Sequence, residues 1–545
     1  MSTPGEDRAF PVLSRSQLAE VASFGSEKPV AAGELLFEAG DASFDLFVVL
    51  EGEVEVVRSN DKDDDVVAVY GPGGFVGELT LLTGQRRFLT GRVTRPGRVL
   101  VIEQPEFRRL MSLRPALADT IFTALVARRE ILRSGPGAQA IRIIGSRYSA
   151  EAMSLRAFAE HSRLAHTWID LEDAEDVDAL LQTMGLRPQD TPVVITPTEI
   201  LRHPSTATFA EHLGLTFRPI PGYIFDLVVV GSGPAGLAAA VYGASEGLRT
   251  VSVDAVAIGG QAGASSRIEN YAGFPSGISG EDLTARAAVQ AMRLGARLNA
   301  PCEVVGLRAE AGFHAVVLGD GSEIPARAVI VASGARYRRL AIDDLERFEG
   351  AGVYYAATDL EARVCDGMSV LVMGGGNSAG QAAIYLAQHH CKVTLAIRRG
   401  DLTQSMSHYL IERIEADPKV ELLTGVEVQG LGGQDHLEQV TLRDVATGEQ
   451  RRISCAGLFS FIGAVPATSW LGDVVLRDAR GFVLTDRQLP DPAPGTSGPL
   501  PFETSVPGVF AAGDVRHDSM KRVAAAVGEG SSAVRSVHER LATEP

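Results

Sequence analysis

The spacing of hydrophobic and polar positions divides the chain into three stretches with different periods. From residue 10 to about 110, short apolar runs at 34–37, 46–50, 54–57 and 66–69 are separated by glycine turns. Evenly spaced short strands of this kind predict a small β-barrel or jelly roll. The acidic run at 60–65 predicts a solvated hairpin tip. Apolar residues at helical spacing then predict a helix from about 105 to 133, and the Ser-Gly-Pro-Gly at 134–137 predicts a linker. From about 140 to 221 the pattern becomes βαβ, with strands at 141–144, 167–170 and 191–195 and helices at 150–161 and 174–184. From Tyr223 onward strands and helices alternate, and the Pro/Gly-rich 490–501 reads as a surface loop inserted in that region.

With 545 residues, a prior of roughly 150 per domain predicts three or four domains. Hydrophobic residues at 45% and charged ones at 22% supply the core and surface of globular domains. A net charge of −17 argues against general nucleic-acid binding, which needs a basic footprint. No window approaches the roughly 18–20 apolar residues of a membrane span, and the start, MSTPGEDRAF, lacks the basic-then-apolar order of a signal peptide. A cytoplasmic protein is the expectation. The four cysteines, Cys302, Cys365, Cys391 and Cys455, lie far apart in the chain, which excludes a CxxC redox pair or zinc knuckle. Buried free thiols and no metal site are expected.

Two glycine fingerprints carry the chemistry. In the first, the apolar run at 225–230 leads into Gly231-Ser232-Gly233-Pro234-Ala235-Gly236 and then a helix. Gly231 permits the tight turn, Gly233 lets backbone approach a pyrophosphate, and Gly236 allows close helix–strand packing, while the helix N-terminus faces the phosphates. The next strand, 250–253, ends in Asp254, placed for a ribose diol. In the second, 370–373 leads into Gly374-Gly375-Gly376-Asn377-Ser378-Ala379, and the strand at 392–397 ends in Arg398-Arg399. Cations at that strand end suit the 2′-phosphate of NADPH, where an acid would suit NADH.

These motifs, with Gly259-Gly260-Gln261, Ile268-Glu269-Asn270-Tyr271 and Val509-Phe510-Ala511-Ala512-Gly513-Asp514-Val515, make residues from about 223 to 545 resemble the low-molecular-weight thioredoxin reductases. The resemblance implies an FAD domain at 222–336 and 467–545, interrupted by an NADPH domain at 337–466, in a homodimer. It implies that Gly513 and Asp514 meet the ribityl or pyrophosphate part of FAD, and that Gly260, Gln261 and Asn270 approach the flavin. It also exposes a departure. Where those enzymes carry Cys-x-x-Cys, this chain has Tyr355-Ala356-Ala357-Thr358-Asp359, so Ala356 and Asp359 stand at the cysteine positions. A dithiol relay needs two thiols that can close on each other, whereas hydride transfer from NADPH to FAD needs none.

Residues 138–221 resemble a thioredoxin or glutaredoxin fold, with Thr191-Pro192-Val193 at that family's cis-proline position; Gly145-Ser146-Arg147-Tyr148-Ser149-Ala150 stands where its redox motif belongs, without cysteine. A redox-dead spacer or docking domain is implied. Residues 1–135 resemble the cyclic nucleotide-binding domain followed by C-terminal helices. Gly77, Glu78, Leu79, Arg86 and Arg87 match its phosphate cassette, with Glu78 placed for a ribose hydroxyl and the Arg87 fork for a cyclic phosphate. The family's proline is replaced by Arg86, and bulky Phe88 and Leu89 follow. The expected architecture is therefore multidomain: a cyclic nucleotide-binding-like β-barrel, a thioredoxin-like βαβ domain, and two Rossmann-like domains. The expected protein is an NADPH-dependent FAD oxidoreductase similar to thioredoxin reductase, with cAMP or another cyclic nucleotide as a regulator. A dithiol-free reductase of ferredoxin, quinone or another acceptor, small molecule or small redox protein, is one alternative. A redox or nucleotide sensor or scaffold with little turnover is another.

Overall fold

The computed structural model describes residues 6–543 except 40, 42–44, 59–64, 78–88, 135–140, 148, 163, 165, 174–180, 183–184, 197–198, 216–221, 266, 311, 435 and 492–497. No described helix is long and apolar enough to cross a membrane.

The N-terminal domain is a six-stranded antiparallel barrel. The two strands expected at 46–50 and 54–57 are one strand, Leu46–Arg58, paired along its length with Thr90–Ile102. Gly52, at φ +94°, sits among register shifts between Val49 and Val54. The glycine therefore makes a bulge that bends the strand, and the chain does not reverse there. The hairpin tip expected at 60–65 lies mostly outside the described residues; its flanks, Arg58 and Asp65, pair across the hairpin. Phe37, Phe47, Val49, Val54, Val56 and Tyr70 fill the barrel interior.

The single helix expected at 105–133 is two, Gln104–Leu113 and Pro115–Ser134, broken at Arg114 (φ −128°, ψ 72°). The ring of Pro115 disfavours the α conformation at the residue before it. Both helices pack on the outer barrel face through Phe107, Leu110, Leu117, Ile121 and Leu125. Arg128, on the second, is buried. Its Nε donates to the Ala9 carbonyl (2.7 Å), and its Nη1 to the carbonyls of Phe75 (2.9 Å) and Gly77 (3.3 Å). The guanidinium also faces the rings of Phe10, Tyr70 and Phe75 at 4.5–5.5 Å.

The middle sheet has Ile141–Gly145 parallel to His166–Asp170 and antiparallel to Val193–Ile195, which in turn pairs with Ile200–Arg202. Thr191–Pro192 is cis. The helix expected at 150–161 is Ala150–His161. Most of the one expected at 174–184 lies outside the described residues. After Gly145, where a redox motif would begin, Ser146 donates to Glu172 (2.6 Å) and Arg147 pairs with Asp170 (2.7 Å).

The C-terminal half holds two sheets. In the first, Arg297–Asn299, Thr250–Val253, Phe225–Val230, Glu323–Val331 and Val509–Ala511 run parallel, flanked by an antiparallel meander. All six residues of Phe225–Val230 are buried, as a central parallel strand covered on both faces requires. In the second, Val353–Tyr354, Gly457–Ser460, Ser369–Met373, Lys392–Ile397 and Val420–Thr424 run parallel in that order. The chain passes between the sheets through a two-stranded ribbon, Ala335–Tyr337 against Ala464–Pro466.

Arg128 is the polar centre of the first domain, because one side chain satisfies three carbonyls on two separate segments. Arg128→Ala leaves those acceptors in an apolar setting, at about 3 kcal/mol in total. The expected outcome is a lower melting temperature for the N-terminal domain with the C-terminal transition unmoved, read by scanning calorimetry of the full chain.

Candidate functional site

Parallel strands deliver their loops to one end of a sheet, and both fingerprints lie at such ends. Gly231 has φ +109°, and a Cβ there would strike the Ala332 carbonyl. A Cβ on Gly236 would overlap the Gly231 carbonyl oxygen, so helix Pro234–Ser245 can start this close to the strand only without a side chain. Gly233 and Gly260 face each other: a Cβ on Gly260 would lie 2.8 Å from the Gly233 Cα, and one on Gly233 meets only Gly260, at 3.8 Å. The two turns meet backbone against backbone and border a slot at the head of the helix. No side chain caps the helix N-terminus at Gly233, so its amides are available to an anion.

Asp254 lies beneath the slot. Its carboxylate accepts from the amides of Ser232 (2.8 Å), Val256 (3.0 Å) and Ala257 (3.2 Å). Burial pushes the carboxyl above its ordinary range, against those three donors and the charge of Arg336. Asp254 thus shapes the fingerprint loop. Gly513 approaches Ala235, where a Cβ would lie 2.8 Å from the alanine methyl, and so brings Asp514 to the mouth of the same slot. The Gly513 amide donates to Glu529 (2.7 Å), and Glu529 also pairs with Arg516 (3.1 Å). Burial raises the Asp514 carboxyl, with Lys521 acting against that rise. The Lys521 ammonium donates to the Asp514 carbonyl (2.5 Å) and rests over Phe482 (4.5 Å). Gln261 donates to the Ala335 carbonyl on the interdomain ribbon. Asn270 stands exposed on the loop that follows.

The second turn is built alike. Gly374 has φ +143° and abuts the Phe461 carbonyl, while Gly376 opens onto free space. Asn377 is already committed: its amide nitrogen donates to Ser407 Oγ (2.8 Å) and its oxygen accepts from the Ser407 amide (2.7 Å). Its part is to hold the neighbouring loop at the turn. Arg398 and Arg399 are exposed at the end of Lys392–Ile397.

Two residues that the motifs did not single out tie the two units together. Tyr337, on the ribbon, is hydrogen-bonded to Ser378 at the second turn and lies within electrostatic reach of Asp514 at the first; burial raises its phenol. Its ring meets Phe461 edge-on at 5.1 Å. Arg413, on helix His408–Ala416 of the second unit, donates Nη1 to both Glu269 oxygens (2.8 and 2.7 Å) on the first. Only the position of Tyr337 at the expected domain boundary hinted at its part.

Ala356 is half-buried just before helix Asp359–Val364, which Asp359 opens. All four cysteines are free and buried. Burial pushes the thiols of Cys302 and Cys455 up to about 12 and that of Cys391 up to about 11, and raises that of Cys365 as well. A thiol held protonated is a poor nucleophile.

In the barrel, a small apolar pocket is lined by Phe10, Phe37, Val56, Tyr70, Leu89 and Arg128 among others, and Gly77 contributes to its wall. Of the expected cassette, Gly77 alone is described; Glu78, Leu79, Arg86 and Arg87 lie outside the described residues.

Comparison with known proteins matches this geometry. The profile of the pyridine nucleotide-disulphide oxidoreductases covers residues 225–530, and that of the cyclic nucleotide-binding domain covers residues 27–114. The chain belongs to the pyridine nucleotide-disulphide oxidoreductase family. Within it, the C-terminal module is thioredoxin reductase-like, and a cyclic nucleotide-binding domain precedes it. The thioredoxin reductase of Treponema pallidum is 34% identical over 325 residues, spanning 58% of this chain and 98% of that protein. Crystal structures of the thioredoxin reductases of Lactococcus lactis and T. acidophilum share 29% identity with it. They superpose with TM-scores of 0.52 and 0.53 over 58% of this chain and 99% of each.

A backbone slot flanked by an uncapped helix N-terminus fits the pyrophosphate of FAD. Gly260→Val fills that slot. The expected result is protein that folds but is purified with at least tenfold less bound flavin, read from the visible absorbance per chain.

Proposed function

We propose that the protein oxidises NADPH at the second glycine turn and passes the electrons through FAD in the first slot to an acceptor that takes them directly from the flavin. The observation that carries this reading is the pair of backbone slots joined by the Tyr337 ribbon, with Ala356 and Asp359 where a relay dithiol would stand. Bound FAD supplies a two-electron acceptor for hydride, and NADPH supplies the hydride. The chain's own work is binding and orientation. Gly231, Gly233, Pro234, Ala235, Gly236, Gly260 and Gly513 let backbone reach the FAD phosphates, with Asp254 and Asp514 at the ribose and ribityl. Gly374, Gly376 and Ser378 receive NADPH, and the Arg398–Arg399 pair selects its 2′-phosphate. Gln261 and Asn270 border the flavin. A homodimer is the assembly this reading expects. Ferredoxin, a quinone or a small redox protein fits as acceptor, because each can accept electrons without a partner dithiol.

Titration with dithionite tests the missing relay. FAD alone takes two electrons per chain, whereas FAD with a redox disulfide takes four. A two-electron endpoint is expected, and four would overturn the proposal. In the double variant Arg398→Ala/Arg399→Ala the preference for NADPH over NADH should narrow by tenfold or more, since the 2′-phosphate loses charged donors. An unchanged ratio in steady-state kinetics would remove the 2′-phosphate assignment. A protein that binds FAD yet turns over no acceptor would favour the sensor alternative.

The barrel pocket supports a second, compatible reading in which a cyclic nucleotide regulates the reductase. The apolar wall suits a base, and Gly77 borders the cassette that carries Glu78 and Arg87. Ligand at about 100 times its dissociation constant should stabilise the barrel by about 2.7 kcal/mol. That gain appears as a thermal shift with cAMP or cGMP, abolished in Arg87→Ala. Absence of any shift at millimolar nucleotide would leave the barrel without this role.

A further inference from the structure

Helix Gly280–Arg293 touches the barrel with one end and the flavin turn with the other. At its C-terminal end, Val289 packs into the cluster formed by the barrel's two helices, beside residues such as Leu110 and Ile121. Arg293 Nη1 lies 3.4 Å from Asp119 Oδ1 on helix Pro115–Ser134. At its N-terminal end, the Gly280 amide donates to the Ser265 carbonyl (2.8 Å), and a Cβ on Gly280 would overlap the Ala262 carbonyl. The Thr284 hydroxyl lies 2.8 Å from where a Cβ on Gly259 would stand. Gly259 in turn donates its amide to the Ser232 carbonyl (2.8 Å), and its neighbour Gly260 forms one wall of the slot against Gly233. The flank of the helix is gripped too, since Ala288, Ala291 and Met292 pack with Leu237 and Ala240 of the helix that begins at the first fingerprint.

We propose that helix Gly280–Arg293 is a coupling element. The docking of the barrel at Val289 and Arg293 sets the position of the turn Gly259–Gly260–Gln261 and thereby the affinity and environment of the flavin. The path on the barrel side is continuous. Arg128 holds the carbonyls of Phe75 and Gly77 at the pocket wall, and it belongs to the same helix as Asp119. A ligand that moves Gly77 acts on that helix through a buried guanidinium, and the helix acts on Val289 and Arg293. A 14-residue helix moves nearly as a rigid body, so displacement at one end reaches Thr284 a little over one turn away. Val289 carries more of the docking than the ion pair, because Arg293 and Asp119 are both well exposed to solvent.

This inference rests on the assignment of the first slot to FAD, and the test separates the two. The full-length protein is compared with Val289→Asp, which puts a carboxylate between the barrel helices and the Leu237–Ala240 face, and with Asp119→Arg, which sets like charges face to face on an exposed surface, leaves the cores intact and therefore decides the source of any flavin change. Small-angle scattering reports barrel docking as the radius of gyration, and calorimetry and visible circular dichroism report FAD. The expected result is a larger radius with a change of about fivefold or more in the FAD dissociation constant and an altered flavin dichroism. The swapped pair Asp119→Arg/Arg293→Asp should return both readings toward wild type. A barrel that undocks with FAD affinity and dichroism unchanged overturns the proposal, and so does a barrel that stays docked in both variants. If Val289→Asp fails to fold, Asp119→Arg and its swap decide alone. A wild-type chain that binds no FAD at all defeats the flavin assignment instead, and the result is recognised before any variant is compared.

Discussion

The C-terminal module depends on backbone meeting backbone at the ends of parallel strands. A pyrophosphate can be bound by main-chain amides only where no side chain intervenes, and several contacts enforce that condition. Gly236 lies against the Gly231 carbonyl, and Gly260 packs against Gly233 at the edge of the slot. Gly530 on the last helix lies against the Ala235 carbonyl. Because the third contact draws helix Val523–Thr543 onto the fingerprint helix, the Gly513–Asp514 turn arrives beside the slot although it follows by almost 280 residues. Asp254 and Glu529 complete the arrangement by accepting the amides of Ser232 and Gly513, so the turns are preorganised by carboxylates buried in the chain itself.

The proposed direct exit of electrons from flavin rests on what that frame lacks. The segment leading into helix Asp359–Val364 holds Ala356 and Asp359, the two positions at which the family resemblance implies a dithiol. The nearest cysteine in sequence, Cys365, is packed under Gly457, with its sulfur 2.8 Å from where a Cβ on that glycine would stand. Burial that keeps a thiol protonated also keeps disulfide substrates away from it. The Glu269–Arg413 pair ties the two nucleotide-binding units together at a surface outside either slot, so their approach is held by charge as well as by the Tyr337 ribbon. With Arg413 half-exposed, that pair is weak enough to open.

Most of the architecture was legible because periodicity and glycine spacing report local requirements. Strand 392–397 and helix 150–161 appear at the expected residues. The barrel shows where such reading stops. Gly52 reads as a turn, yet a partner strand running alongside for its whole length makes it a bulge, and partner length is not a local property. The helix break at Arg114 was available from Pro115 and was masked by the apolar spacing that continues through it. Asn377 was legible as part of a glycine turn, but its bond to Ser407 depends on a loop 30 residues away. Arg128, Tyr337, Val289 and Arg413 carry no motif. Arg128 and Arg413 reach partners 119 and 144 residues away, and Tyr337 and Val289 pack against other units, so only the folded chain brings them together.

The fusion of a cyclic nucleotide-binding domain to a thioredoxin reductase-like module would have a thermodynamic consequence for any ligand that bound the barrel. If barrel and flavin turn share helix Gly280–Arg293, then a ligand that favours one docking geometry changes flavin affinity by some factor, and flavin must change ligand affinity by the same factor. The size of that factor is limited by the difference in docking free energy between the two barrel states, because a ligand can shift an equilibrium only by its differential affinity. Among the described residues the contact rests chiefly on one valine and one exposed ion pair, which is a small interface. It favours modest modulation of a working reductase over an on–off switch, since moving a two-state equilibrium from 1:99 to 99:1 takes about 5.5 kcal/mol. The buried Arg128 places the stiffest part of the path inside the barrel, and the weak contact at Val289 and Arg293 places the adjustable part at the surface of the reductase.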